Sequence, residues 1–265
     1  YYAAMACRLT IAQIRAVPQR RNADGNFDRL LHLLDVAARH RPDVVITSES
    51  FLDGYLAADA RTDADDIRAA AIDPDDSVYT DVLGAWAGDH QSWLLFGCTR
   101  IVGDRGANTA LLFNRDGALA GLYDKTHLQS HDHKYVAGDR LPVFDSDFGT
   151  FGVLICADRR WPETVRSLAL QGARVILNPT YGMMGDFNTA MMRTRAFESE
   201  IFIAFTHPQQ SLITGPGGRV LCDKVGDIDA VAVTTIDLAE VDQVRQSPTS
   251  HLQDLRPALY APSAS

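Results

Sequence analysis

A chain of 265 residues, 46% hydrophobic and 22% charged, lies at the upper end of what one hydrophobic core supports, so residues 1–265 are expected to form one globular domain. The net charge of −9, with no run of Lys or Arg, excludes nucleic acid as a partner and leaves a small molecule as the expected substrate. No apolar run approaches the ~20 residues of a membrane span, so no membrane partner is expected.

The apolar start, Tyr1 to Ala6, has no basic region ahead of it and is broken by Arg8. It does not read as a signal peptide, and Met5 is a candidate natural start. Four cysteines (Cys7, Cys98, Cys156, Cys222) lie far apart, at least three of them in strand-like contexts. Reduced thiols in a cytoplasmic protein are therefore expected.

Leu9 to Ile11 begins a first strand. Asn26 to His40 places Phe27, Leu30, Leu31, Leu34 and Ala38 at helical spacing, and Arg41-Pro42-Asp43 closes that element. The β-branched run Val44 to Thr47 predicts a second strand, paired in parallel with the first through the helix, with Glu49 just past its end. Residues 56–76, rich in Ala and Asp, predict a short exposed helix. Ser77 can cap another that carries Val78, Val82, Ala85 and Trp86 on one side. Trp93 to Thr99 is a strand. Thr109 to Asn114 and Ala118 to Tyr123 form a hairpin across Arg115-Asp116-Gly117, and Lys125 follows its second arm.

From His127 to Phe148 no period emerges, and a loop of that length in a compact domain is usually functional. The apolar run Phe151 to Ile155 then predicts a buried strand that ends at Cys156. A helix runs from Pro162 to about Gln171 and stops at Gly172. A strand (Val175 to Leu177), a helix (Asn188 to Glu198), a strand (Ile201 to Thr206), a hairpin across Pro216-Gly217-Gly218 and a last strand (Val231 to Ile236) complete the series. A Pro-containing tail, residues 246–265, shows no strong element, and no internal repeat is visible. About ten strands and four or five helices, with both crossovers and hairpins, predict an α/β domain of mixed sheets.

Three titratable residues share one placement: Glu49, Lys125 and Cys156 each follow a strand, the position where layered α/β proteins collect ligands. A carboxylate, an ammonium and a thiol there could serve as base, oxyanion partner and nucleophile. A thiol at a strand-to-helix corner can have its pKa lowered by the positive helix end. The alternative is that Cys156 is a buried filler and Glu49 and Lys125 a surface ion pair.

The segments TSESFLDGY (47–55), YDKTHL (123–128) and ICADRRWPE (155–163) resemble, in the same order, the three signature blocks of the nitrilase superfamily of carbon-nitrogen hydrolases. NTALLFNRDGALAGLYDKTHL, GARVILNPTYG and RTRAFESE resemble its intervening segments, so the likeness covers nearly the whole chain. The resemblance implies a four-layer α-β-β-α sandwich with two mixed β-sheets, a cofactor-free Glu-Lys-Cys triad of Glu49, Lys125 and Cys156, an oxyanion held by Lys125 and the Ala157 backbone N–H, and a homodimer. Many members carry a second glutamate after the lysine; here Asp132 is the only carboxylate between Lys125 and Gly138.

True nitrilases resemble one another in a Trp-Glu pair after the cysteine, whereas Ala157-Asp158 stands here and favours amides over nitriles. The run Asp158 to Glu163 is similar to N-carbamoyl-amino-acid amidohydrolases, which implies that Arg159 and Arg160 clamp a substrate carboxylate; internal pairing with Asp158 or Glu163 is the alternative. Tyr55 and Tyr181 are further candidates for substrate contact. The expected activity is thiol-dependent cleavage of a small linear amide or N-carbamoyl compound. A catalytically silent scaffold and an acyl transferase are the rivals. His127, His131, Asp132 and His133 do not supply a complete, well-separated ligand set, so no metal is expected. Gly215-Pro216-Gly217-Gly218 reads as a turn, and Met183, Met184, Met191 and Met192 as filler.

Overall fold

The computed structural model describes residues 8–260, so the readings of Tyr1 to Ala6, of Cys7 and of the last five tail residues lie outside the described residues. The first half starts with β1 (Arg8–Arg15), α1 (Ala23–Ala38) and β2 (Val44–Ile46), and β2 pairs in parallel with β1 as the crossover pattern predicts. Two helices, α2 (Ala64–Ala69) and α3 (Val78–His90), lead to β3 (Trp93–Val102), which is parallel to β2. The hairpin of β4 (Arg105–Phe113) and β5 (Leu119–Asp124) turns at Gly117, whose φ of +81° favours a residue without a Cβ.

The second half runs β6 (Val143–Phe144), β7 (Phe151–Val153), α4 (Pro162–Leu170), β8 (Val175–Pro179), α5 (Asp186–Glu198), β9 (Phe202–His207), β10 (Gln210–Thr214) and β11 (Val220–Val225). The chain then returns as β12 (Ala230–Asp237), antiparallel to β1, and continues into α6 (Ala239–Gln246). The two six-stranded sheets have the orders β12-β1-β2-β3-β4-β5 and β11-β10-β9-β8-β7-β6. Taken from β12 and from β6, both follow one pattern of pairing: antiparallel, parallel, parallel, antiparallel, antiparallel. The sequence shows no repeat because pairing direction depends on crossover and hairpin lengths, which unrelated residues can share.

Period-two alternation separates the layers. Leu9, Ile11, Val44, Ile46 and Leu95 join the second sheet's Phe151, Val175 and Phe202 in one core. Their neighbours Ala12, Ile14, Val45, Leu94 and Phe96 face Leu30 and Leu34 of α1 and Leu83 and Trp86 of α3. On the far side, Val165, Leu168 and Met192 of α4 and α5 cover the second sheet. The result is an α-β-β-α sandwich. Each fully buried Leu or Ile contributes about 1.5–3 kcal/mol.

Three local readings need correction. Helix α3 buries Thr80, Leu83, Gly84, Trp86 and Ala87, while Val78 and Ala85 are exposed. The reason is close approach: a Cβ on Gly84 would lie 2.6 Å from the Gly117 carbonyl oxygen, so small residues set the contact face. Residues 56–76 are less exposed than expected, because Leu56 and Ala57 in a 3₁₀ turn and Ile67 in α2 are buried. The ladder of β7 stops at Val153, two residues before the apolar run ends, and a 3₁₀ turn (Cys156–Arg160) precedes α4. The tail has no strand or α-helix among the described residues after Gln246, as expected, and it is pinned: the buried Glu200 carboxylate accepts from Ser250 Oγ at 2.8 Å and from the His251 amide.

Candidate active site

Three strand exits converge. After β2, Thr47 Oγ1 accepts from the Gly97 amide at 2.9 Å and prolongs the ladder past Ile46. Residues 47–50 then cross directly over β3, where a Cβ on Gly97 would lie 2.3 Å from Ser48 O and 2.8 Å from Ser50 N. The segment is held further on by Asp53, whose carboxylate accepts from Thr99 Oγ1 at 2.9 Å and from the Leu56 amide at 3.2 Å. Burial raises the Asp53 pKa to about 6. After β5, the Lys125 amide donates to Asn108 O at 2.9 Å, so the hairpin register aims this lysine.

Glu49, Lys125 and Asp132 form a dry chain of charges, each side chain 0% exposed. Lys125 Nζ lies 2.8 Å from Glu49 Oε1 and 2.7 Å from Asp132 Oδ2. Glu49 also accepts from Asn108 Nδ2 and from the Tyr181 amide, both at 2.9 Å. Tyr55, in the left-handed region at φ +55°, donates its hydroxyl to Asp132 Oδ1 at 2.7 Å and meets His131 Nε2 at 2.9 Å. Burial alone works against charge on Lys125, but Glu49, Cys156 and Asp132 outweigh it and its pKa is raised. Burial, reinforced by the same anions, drives the Tyr55 pKa far upward, so its hydroxyl keeps its proton.

Cys156 takes a left-handed conformation, φ +44°, at the start of the 3₁₀ turn, and Ala157 follows it, fully buried. Burial raises the Cys156 pKa and the Glu49 charge adds to this; Lys125, Arg159 and a hydrogen bond from the Gly182 backbone act to lower it. The thiol is thus protonated at neutral pH, beside a carboxylate and two cations. Gly182 leaves space over the sulfur, since a Cβ there would sit 3.7 Å from Sγ.

Arg159 is buried and holds its partners with Nε to Asn188 Oδ1 (2.9 Å), Nη1 to Cys156 O (2.5 Å) and Nη2 to Met183 O (2.8 Å). Arg160 is exposed, and its carbonyl accepts from Arg195 Nη2 at 2.7 Å. Among the described residues, no ion pair joins either arginine to Asp158 or Glu163. Asp158 instead accepts from Tyr123, Thr126, Ile155 and the His127 amide. The histidines of the long loop diverge: His127 turns to Asp158 and stacks on Trp161, whereas His131 turns to Tyr55. Asn108 and the Tyr181 amide were not found from the sequence. A polar Asn inside the apolar strand GANTALLF is a usable signal, but a backbone donor has none.

An α-β-β-α sandwich with a carboxylate, an ammonium and a thiol at converging strand exits defines a carbon-nitrogen hydrolase. The chain belongs to that family, within the nitrilase superfamily: the family model described as carbon-nitrogen hydrolase matches residues 8–246. It is similar to a Pseudomonas protegens protein named hydrolase in pqqF 5'region, with 31% identity over 95% of this chain and 90% of that one. Its fold is similar to that of Saccharomyces cerevisiae Nit3, with a TM-score of 0.81 at 20% identity over 94% and 97% of the two chains. It is also similar to an amidase of Nesterenkonia sp. AN1, with a TM-score of 0.77 at 22% identity over 95% of each chain. That structure is described as showing covalent addition of the acetamide moiety of fluoroacetamide at the active site cysteine.

Proposed function

We propose that this protein is a thiol amidohydrolase that cleaves a small linear amide or N-carbamoyl compound through a thioester on Cys156. The observation that carries this reading is the dry Glu49–Lys125–Asp132 chain beside a buried thiol whose pKa Glu49 raises and Lys125 lowers. Burial makes such a chain costly unless every charge is paired, and a functional site is where that cost is expected.

Glu49 takes the thiol proton as Sγ attacks the carbonyl carbon. The carbonyl oxygen becomes an oxyanion held by Lys125 Nζ and the Ala157 N–H, where one such donor is worth about 10²- to 10³-fold in rate. Glu49 returns the proton to the departing nitrogen as the C–N bond breaks, leaving the acyl group on sulfur. It then activates a water that hydrolyses the thioester and restores the thiol. Asp132 takes the role of the family's second acid by holding Lys125 Nζ at 2.7 Å beside Glu49. Tyr55 and Tyr181, whose rings lie 5.3 Å apart, border the site.

Three free buried cysteines, Cys98, Cys156 and Cys222, suit a reducing compartment, and we assign the protein to the cytoplasm. Among the described residues, no helix is long and apolar enough to cross a membrane. The test is to incubate the protein and Cys156→Ala with N-carbamoyl amino acids, ω-amides and simple nitriles while ammonia release is measured. Release from an amide or carbamoyl compound, lost in Cys156→Ala, is the expected outcome. Nitrile turnover alone, or no turnover across the panel, contradicts the reading.

A further inference from the structure

We propose that Arg159 is the electrostatic partner of the Cys156 thiolate and not a clamp for a substrate carboxylate. This deepens the reading of Cys156 as nucleophile and rests on it. Three observations carry the assignment.

The first is a charge without a counter-ion. The Arg159 side chain is buried, with 1% of the residue exposed, yet among the described residues no carboxylate pairs with it. Its partners are an amide oxygen of Asn188, the carbonyls of Cys156 and Met183, and the face of Phe205, whose ring centre is 5.0 Å away. A buried guanidinium satisfied only by neutral groups favours an anion nearby. His207, which also packs against Phe205, supplies no anion: burial holds it neutral, and Arg159 helps push its pKa down to about 4.

The second is the count of donors. A guanidinium has five N–H groups. Nε is taken by Asn188; Nη1 reaches both Cys156 O at 2.5 Å and Sγ at 3.7 Å; Nη2 gives one hydrogen to Met183 O. A two-pronged grip on a carboxylate needs two parallel N–H groups, and only one on Nη2 is uncommitted. The sulfur, by contrast, is already in contact.

The third is charge balance around the thiol. Glu49 and Asp132 share Lys125, and Arg159 adds a second cation at the sulfur, so two carboxylates are set against two cations. Proton transfer from Sγ to Glu49 moves the negative charge from carboxylate to sulfur and keeps that balance. Without Arg159, Sγ would ionise next to Lys125 alone, itself shared with Asp132. Nη1 also binds the carbonyl of the cysteine, so one guanidinium both holds the left-handed Cys156 backbone and faces its sulfur.

The experiment is the pH profile of Cys156 alkylation by iodoacetamide, followed by intact mass, in the wild type and in Arg159→Gln. It needs no substrate, so it remains decisive if no amide is turned over. The groups facing the sulfur are Glu49, Lys125, Tyr55, Arg159 and the Gly182 amide, and only Arg159 is changed. The alkylation midpoint should move up by about one pH unit in Arg159→Gln, a tenfold loss of thiolate below it. The rate at the high-pH plateau should be retained. An unchanged midpoint in folded Arg159→Gln overturns the assignment, as does a variant whose only defect is a raised KM for carboxylate-bearing substrates. If Arg159→Gln fails to fold, the guanidinium ¹⁵N resonances of the wild type decide the matter. A resonance that moves with the thiol titration and is static in Cys156→Ser supports the assignment; one static in both overturns it.

Discussion

At the scale of single residues, the site is governed by the cost of holding charges out of water. Lys125 compensates two carboxylates at once, at 2.8 and 2.7 Å, with all three side chains dry. Removing one partner of such a pair typically costs about 3–5 kcal/mol because the remaining charge is stranded. Lys125→Met is therefore expected to lose that much stability in urea unfolding as well as activity; equal stability to the wild type would mean that these ion pairs contribute nothing to folding. His207 makes a pH-dependent contribution. Its Nδ1 accepts from the Gln209 amide at 3.0 Å and its Nε2 donates to Tyr181 O at 2.8 Å, so the neutral ring fixes the residue whose amide binds Glu49. Burial lowers its pKa from 6.5 to about 4, so the unfolded chain binds the proton more readily between those values. Stability should fall as pH drops from 6.5 toward 4, by about 2–3 kcal/mol from this group, and level off below. His207→Gln should lack that component, and parallel pH dependence in wild type and variant would contradict it. The placement of Glu49, Lys125 and Cys156 was legible because each is a titratable residue one to three positions past a strand-like apolar run. Asn188, the Tyr181 amide and the commitments of Arg159 were not, because spacing along the chain does not reveal which donors are already taken.

Secondary-structure elements position those residues through close backbone contact. Gly97, inside β3, allows residues 47–50 to pass over the sheet; a methyl group there would meet backbone atoms of Ser48 and Ser50 that have no rotamer to yield. Gly97→Ala is expected to displace Glu49, reducing amide turnover at least tenfold and stability by about 1–3 kcal/mol. Gly217→Ala, where nothing lies within 4 Å of the added Cβ, is the control and should leave both intact. Comparable losses in the two would assign the effect to general disturbance. Strand and hairpin positions were readable from β-branched runs and the Asp-Gly turn. The buried face of α3 was not, since it depends on Gly84 and Gly88 approaching a distant turn. The end of β7 was not either: Leu154 still donates to Leu177 O of β8 at 3.1 Å, but Ile155, as apolar as a strand residue, turns to Asp158 and forms the corner that carries Cys156.

Across the whole molecule, the mix of crossovers and hairpins in the sequence predicted mixed sheets with helices against them and the family resemblance implied the four layers, while the shared pairing pattern of the sheets had no counterpart in sequence identity. Helices α4 and α5 leave Leu170, Phe187 and Phe197 exposed, at 56%, 75% and 47%. Exposed apolar side chains on this helix layer fit the homodimer that the family resemblance implies. Light scattering is expected to give twice the chain mass, and Phe187→Glu with Phe197→Glu to give a monomer; a monomeric wild type would remove the dimer.

All of these scales meet at the sulfur of Cys156. The most direct test of its role is acid quench of the enzyme during turnover of a linear amide, followed by intact mass and peptide mapping. The expected result is an acyl mass increment confined to the peptide containing Cys156 and absent, together with turnover, in Cys156→Ala. Turnover that continues in Cys156→Ala would contradict the thioester mechanism.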